Sequence, residues 1–252
     1  MEPTLGISHF LHNADTVAIF LLITLLVMSI GTWYLILTKG LQTYFANQRS
    51  RDFLNRFWEA KNLEEVASSI RETGTVEPFS HLVHHGFTAL EQHQRGQETH
   101  TLIDAGTSEE FLTRALKRAI DEDKSRMEMG LTFLATTASS APFVGLFGTV
   151  WGIYHALLAI GMTGQSTLDK VAGPVGEALI MTGFGLAVAI PAAIAYNAFA
   201  RSNRNTLSRL NSFAYDVFAF LATGFKTGQM LADVKGRSAD VIARFQSQQR
   251  GA

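Results

Sequence analysis

Cysteine is absent from the 252 residues. That excludes a disulfide framework, a thiolate zinc site and a cysteine nucleophile. Charge is sparse as well: Asp, Glu, Lys and Arg make up 17% of the chain, against about 25% in an ordinary soluble domain. Neither sign dominates, since 21 basic and 22 acidic residues leave a net charge of -1. That balance offers no electrostatic footprint for nucleic acid. Disorder is excluded by the 47% of apolar residues, because disordered chains are poor in them. Signatures of enzymes are also missing. The glycines of GLFGTVWG, at 145, 148 and 152, are not followed by the Lys-Ser/Thr of a phosphate loop, and no HExxH or Ser-His-Asp pattern occurs.

What charge there is lies unevenly. The 23 residues from Thr16 to Thr38, the 40 from Met129 to Leu168 and the 23 from Ala178 to Ala200 contain no Lys, Arg, Asp or Glu. A helix needs about 20 predominantly apolar residues to span a bilayer, so each run is long enough. The first reads as an uncleaved transmembrane helix, because residues 1–15 carry no Lys or Arg and the run is too long for a signal-peptide core. Of the 21 basic residues, 12 lie between Lys39 and Arg126 and eight between Arg201 and Arg250, leaving Lys170 alone between the second and third runs. The positive-inside rule makes the basic side cytoplasmic. Trp33, Tyr34 and Tyr196 fall toward the inner ends, where interfacial aromatics belong.

The expected fold is an all-α membrane protein, with three transmembrane helices and long helices extending into a cytoplasmic helical domain. Residues 1–15 form a periplasmic N-terminus and 16–38 the first transmembrane helix. Residues 39–128 form a cytoplasmic helical insert. The second transmembrane helix covers 131–163 and continues a cytoplasmic helix from about 108. A short periplasmic loop at 164–173 leads to the third transmembrane helix, 176–200, and 201–252 form a cytoplasmic helical extension and tail. In the insert, Phe53, Leu54, Phe57, Trp58 and Lys61 follow helical spacing, Gly74 and Pro78 interrupt it, and Arg95-Gly96-Gln97 reads as a turn. Thr107 with Glu110 forms a capping box. Beyond Arg201 the pattern stays helical through Phe213, Val217, Phe220 and Leu221 to Gly224 and Gly228.

Within the spans, small and hydroxyl-bearing residues fall on single faces. Gly145, Thr149, Gly152, Ala156, Ala159 and Thr163 share one face of the second span, and Thr132, Thr136 and Ser139 are taken to prolong it upstream. Thr182, Gly185, Ala189, Ala192 and Tyr196 share a face of the third. Such stripes either let helices pack closely or line a pathway. Glu177 adds weight to the second reading for Thr149 and Thr182. It is the sole carboxylate between Asp169 and Asp216, and a membrane carboxylate survives facing water, a partner or a cavity. The other reading of Glu177 is a solvated first-turn acid at the outer interface. Pro142 and Pro191 lie inside the spans, where each can bend its helix. His81, His84 and His85 share a helix face, but with no second cluster in the sequence no metal site and no cofactor is expected. His155, in the second span, is expected to be a packed neutral histidine.

Two stretches carry a resemblance. SAPFVGLFGTVWGI, Ser140 to Ile153, and GPVGEALIMTGFGLAVAIPAAIAYNAFAR, Gly173 to Arg201, resemble the signature of the MotA/TolQ/ExbB proton-channel family. With the loop between them they cover about 60 residues, and the three-span layout agrees. The resemblance is strongest to the ExbB branch, with TolQ as its sister. It implies a homopentamer in the bacterial inner membrane around the transmembrane helix of an ExbD-like single-span protein, which carries a membrane Asp. It further implies that the proton motive force drives a TonB-like partner, energising outer-membrane uptake of iron-siderophores and vitamin B12. The family's pore-lining positions fall on Thr149, Glu177 and Thr182, beside packing positions at Gly145, Gly152 and Gly185. Met181 departs from the small residues expected around Thr182 and narrows the wall there. The alternatives are a TolQ-type subunit serving outer-membrane integrity and a passive membrane scaffold.

Overall fold

The computed structural model describes residues 15–60, 65, 66, 68, 74, 77–99, 107–163 and 168–223. Among them all the regular structure is α-helix, with no strand. The helices are α1 (Thr16–Glu59), α2 (Pro78–Thr99), α3 (Ser108–Glu128), α4 (Leu131–Thr163) and α5 (Leu168–Thr223). Three stretches, in α1, in α3–α4 and in α5, are long and apolar enough to cross a membrane. Residues 1–14, residues 164–167 of the loop after the second span, Lys61, Gly224 and Gly228 lie outside the described residues.

Three boundaries differ from the sequence reading. The helix expected to run unbroken from about 108 is interrupted by a two-residue turn at Met129–Gly130. Gly130 has φ 83°, a left-handed conformation that glycine adopts without steric cost. The turn at Arg95-Gly96-Gln97 does not form, and α2 continues through it to Thr99. One glycine in a helix costs about 1 kcal/mol relative to alanine, and the Arg95–Glu91 ion pair, 2.7 Å and one turn apart, favours the helix over a break. The third span is preceded by helix from Leu168, so α5 begins earlier than 176.

The chain divides into two compact units. The first, apolar unit comprises residues up to Thr43 and Glu128–Ser202. Leu21, Leu25, Ala141, Met181 and Ala189 form its buried centre. A Cβ on Gly31 would meet the Phe133 ring at 2.6 Å, and one on Gly130 would meet Leu35 at 2.9 Å. At the other end Trp151 Nε1 donates to Asp15 Oδ2 at 3.2 Å. These pairings run α1 antiparallel to α4. The outside of this unit is apolar: Phe20, Ile30, Tyr34, Phe143 and Ile194 are each more than 60% exposed. A soluble monomer does not present so much apolar surface, whereas a lipid-facing or subunit-facing one does.

The second unit takes Tyr44–Met127 and the chain from Asn203 onward. Its core is contributed by four helices. Phe57 comes from α1, Phe79, Leu82 and Val83 from α2, Leu112, Leu116 and Ala119 from α3, and Leu210, Phe213, Val217 and Phe220 from α5. The 4,3 and 3,4,3 spacings of the α3 and α5 sets place each on one helical face. Phe57 is the hub, edge-on to Phe213 at 4.9 Å and to Phe220 at 5.7 Å. Such pairs add about 0.5–1.5 kcal/mol each beyond their buried area.

Helix starts in this unit are built from side chains. The Glu110 N–H donates to Thr107 Oγ1 at 3.3 Å, which is the forward half of the capping box. At α2, Pro78 occupies the first helical position, where a missing N–H costs nothing. The buried Glu77 carboxylate accepts from the N–H of Ser80 at 2.8 Å, the N–H of Phe79 at 3.2 Å and the Ser50 hydroxyl at 2.7 Å. One side chain therefore caps α2 and ties it to α1. At the end of α3, Asn203 Nδ2 donates to the Met127 carbonyl at 2.8 Å.

Burial holds the Glu77 carboxyl above its ordinary range, and the hydrogen bonds from Ser50, Ser80 and Phe79 only partly offset this. The folded protein therefore binds that proton more readily than the unfolded chain. Its contribution to stability is complete below the ordinary carboxylate range and is lost as pH rises through the elevated folded value. The stability difference between wild type and Glu77→Gln should accordingly grow as pH falls from 7 toward about 4, read from thermal unfolding of the detergent-solubilised chain. Glu77→Ala strands three donors and should cost about 1–3 kcal/mol at pH 7.

Candidate functional site

The candidate site lies in the apolar unit where α4 crosses α5. Gly145 and Gly185 face each other across the crossing, with no room for a side chain at either. A Cβ built on Gly145 would lie 2.7 Å from the Met181 carbonyl oxygen and 3.0 Å from Gly185 Cα, and one on Gly185 would lie 2.7 Å from the Ala141 carbonyl oxygen. A turn further along, a Cβ on Gly152 would meet Ala178 Cβ at 2.9 Å. Small residues at 3,4 spacing are what lets membrane helices approach like this.

That approach brings two hydroxyls together. Thr149 is buried and Thr182 half-buried, with their Oγ1 atoms 2.5 Å apart. The Thr149 hydroxyl also reaches the Ala178 carbonyl at 3.1 Å and the Gly145 carbonyl of its own helix at 3.2 Å. A hydroxyl has one proton and two lone pairs, so its proton can go to a carbonyl while its oxygen accepts from Thr182. Met181 is nearly fully buried, and a Cβ on Gly148 would meet its side chain at 2.8 Å. Its bulk is thus taken up in the helix contact. Glu177 immediately precedes Ala178 in α5, but its side chain lies outside the described residues.

The stripe upstream of Gly145 differs from the expected one. Thr132, Thr136 and Ser139 are exposed, whereas Leu134, Thr137 and Ala141 are buried. Counting back from Gly145 at 100° per residue explains it: 141, 137 and 134 stay on the crossing face, while 139, 136 and 132 fall roughly opposite. Sequence reasoning therefore missed Thr137. Its hydroxyl and that of Thr32 are buried with no hydrogen-bond partner among the described residues. Pro142 and Pro191 both lie inside continuous helices, leaving the carbonyls of Ala138 and Ala187 without their usual helical N–H. His155 is exposed, not packed; its Nδ1 lies 3.1 Å from the Trp151 carbonyl and its ring lies tilted against Trp151, centroids 4.5 Å apart.

Residues 74–212, more than half of the chain, match the profile of the MotA/TolQ/ExbB proton channel family. The chain belongs to this family. The match takes in the α4–α5 crossing with both threonines. Among curated relatives, the biopolymer transport protein ExbB of Xanthomonas campestris pv. campestris is 41% identical over 204 residues, covering 81% of each chain. ExbB of Neisseria meningitidis is 35% identical over 205 residues, covering 81% of this chain and 92% of that one. The Tol-Pal system protein TolQ of Pseudomonas aeruginosa is 34% identical over 233 residues, covering 88% of this chain and 96% of that one. The family is one of channel proteins, not enzymes, and the three apolar helices agree with a multi-pass membrane protein.

The crossing makes a sharp prediction. Gly145→Ala drives a methyl into the backbone carbonyl of Met181, which cannot rotate away as a side chain could, and should destabilise the chain by about 1–3 kcal/mol. Gly40 on α1 has nothing within 4 Å of its Cβ position, so Gly40→Ala should be neutral or gain up to about 1 kcal/mol. Thermal melts of the two variants in detergent check the contrast.

Proposed function

We propose that the chain is the proton-driven subunit of an ExbB–ExbD-type complex of the bacterial inner membrane, with its N-terminus in the periplasm and its C-terminus in the cytoplasm. Five copies surround the transmembrane helix of an ExbD-like protein carrying a membrane Asp, and the proton motive force drives a TonB-like protein that energises outer-membrane uptake. The observation that carries this reading is the hydroxyl pair Thr149–Thr182, set in a crossing of small residues. Identity of 41% to an ExbB, against 34% to a TolQ, supports the ExbB type over service in a Tol-Pal system.

The pair has two proton arrangements. In the first, Thr149 donates to the Ala178 or Gly145 carbonyl and Thr182 donates to Thr149. The half-buried Thr182 then presents lone pairs and can accept from a protonated partner carboxyl. In the second, Thr149 donates to Thr182, which turns its own proton outward to a partner carboxylate. Rotating two hydroxyls thus suits the pair to either protonation state of a partner aspartate. The charged state is held by a charge-assisted hydrogen bond, roughly twice as strong as a neutral one. The neutral state is held weakly and is free to move. The family resemblance assigns Glu177, the residue before Ala178 in sequence, to the same proton pathway.

Replacing either hydroxyl with a methyl removes the relay and keeps the shape. Thr182→Val removes the charge-assisted hydrogen bond to the partner, worth about 1.5–3 kcal/mol, and should lower energised ferric-siderophore uptake at least about 10-fold. Thr149→Val, which breaks the relay behind it, and Glu177→Ala should lower uptake as well. Native mass spectrometry should find the oligomer and its single-span partner intact. Thr149→Ser and Thr182→Ser should retain uptake. Full uptake in the valine variants would favour the passive scaffold.

A further inference from the structure

The second unit holds a side-chain cluster that lies apart from the α4–α5 crossing. His81 and His85 lie one turn apart on α2 with ring centroids 4.4 Å apart. Glu122 reaches them from α3, and one ligand atom from each of the three lies within 4.8 Å of the others. Next to Glu122, Asp123 takes the core-facing position that continues the 4,3 spacing of Leu112, Leu116 and Ala119. It is buried there, with Oδ2 3.0 Å from His81 Nδ1. A carboxylate behind one imidazole nitrogen fixes the tautomer and turns the other nitrogen outward as a ligand, the arrangement seen behind histidines that hold metals.

We propose that His81, His85 and Glu122 bind a zinc-class divalent transition-metal ion, with Asp123 as the positioning residue for His81. Two imidazoles and a carboxylate make a three-ligand set that leaves a fourth position for water or an incoming group. Imidazole nitrogen selects zinc, nickel or copper over magnesium and calcium, which demand oxygen ligands. Tetrahedral bonds of about 2.0–2.2 Å space ligands roughly 3.4 Å apart, so modest side-chain rotations close the set. His85 and Glu122 are half-buried, which gives the ion a route in. Arg118 Nε holds Glu122 Oε1 at 2.9 Å and leaves Oε2 for the ion. His84 is exposed and outside the cluster. The ion clasps α2 to α3. A plain ion pair between His81 and Asp123 is the competing explanation, and it has no use for His85 or Glu122.

The test is titration of the full-length detergent-solubilised chain with Zn²⁺, and with Co²⁺ as a spectroscopic probe. One ion per chain is expected, with the strong visible absorption of tetrahedral Co²⁺ and a higher unfolding temperature in Zn²⁺. His85→Ala and Glu122→Gln should weaken binding at least about 10-fold and abolish the thermal shift, and Asp123→Asn should weaken it about 10–100-fold. His84→Ala should bind like wild type. Absence of stoichiometric binding, or equal losses in His84→Ala and His85→Ala, would overturn the site. Should His85→Ala lose its helical circular dichroism, Glu122→Gln decides the matter alone, with undiminished affinity counting against the proposal.

Discussion

Backbones touch where neither helix carries a side chain, and in the apolar unit that place is Gly145 against Gly185. The contact sets the spacing of α4 and α5. Because the helices are that close, the Thr149 hydroxyl reaches a carbonyl of the opposite helix as well as one of its own, and its oxygen meets that of Thr182. A methyl at either glycine would push the helices apart and separate the hydroxyls. The same approach seats Met181 beside Gly148, so a bulky residue in a row of small ones fills the contact. The proposed proton chemistry thus depends on a packing constraint that involves no proton.

The second unit is organised on a different principle. Its centre is aromatic, with Phe57 edge-on to two phenylalanines of α5, and two carboxylates, Glu77 at the start of α2 and Asp123 within α3, are buried beside it. Each is a buried carboxylate with specific partners: Ser50 and two helix N–H groups for Glu77, His81 for Asp123. Burial holds both above the ordinary carboxylate range. Buried polar groups of this kind stabilise only when fully partnered, and here the partners come from α1 and α2, so the carboxylates also fix which helices are neighbours.

Much of this was legible in the sequence. Uncharged runs and the spacing of apolar residues were enough for an all-α chain with three apolar stretches long enough to span, because desolvating charge is costly wherever it falls. Other features were not legible. The break at Gly130 was hidden because a lone glycine inside a helical pattern is ordinarily tolerated, while the turn depends on that glycine's φ of 83°. Thr132, Thr136 and Ser139 were assigned to the wrong face because a six-residue step from Gly145 rotates a helix by 240°, an error that strict counting corrects. The contact between Thr149 and Thr182 is a property of the crossing and not of either stripe. His81 meets Glu122 and Asp123 across some 40 residues, a distance over which local spacing carries no information.

The bond from Trp151 to Asp15 bears on electrical depth. It levels the start of α1 with a point on α4 two residues beyond Thr149, about 3 Å at the helical rise. The helix α4 continues past Thr149 to Thr163, about 21 Å further, and reaches back to Leu131, about 27 Å the other way. The threonine pair therefore has apolar helix on both sides, and in the proposed orientation the ~2.3 kcal/mol that each charge releases per 100 mV divides between the proton's arrival at the pair and its departure.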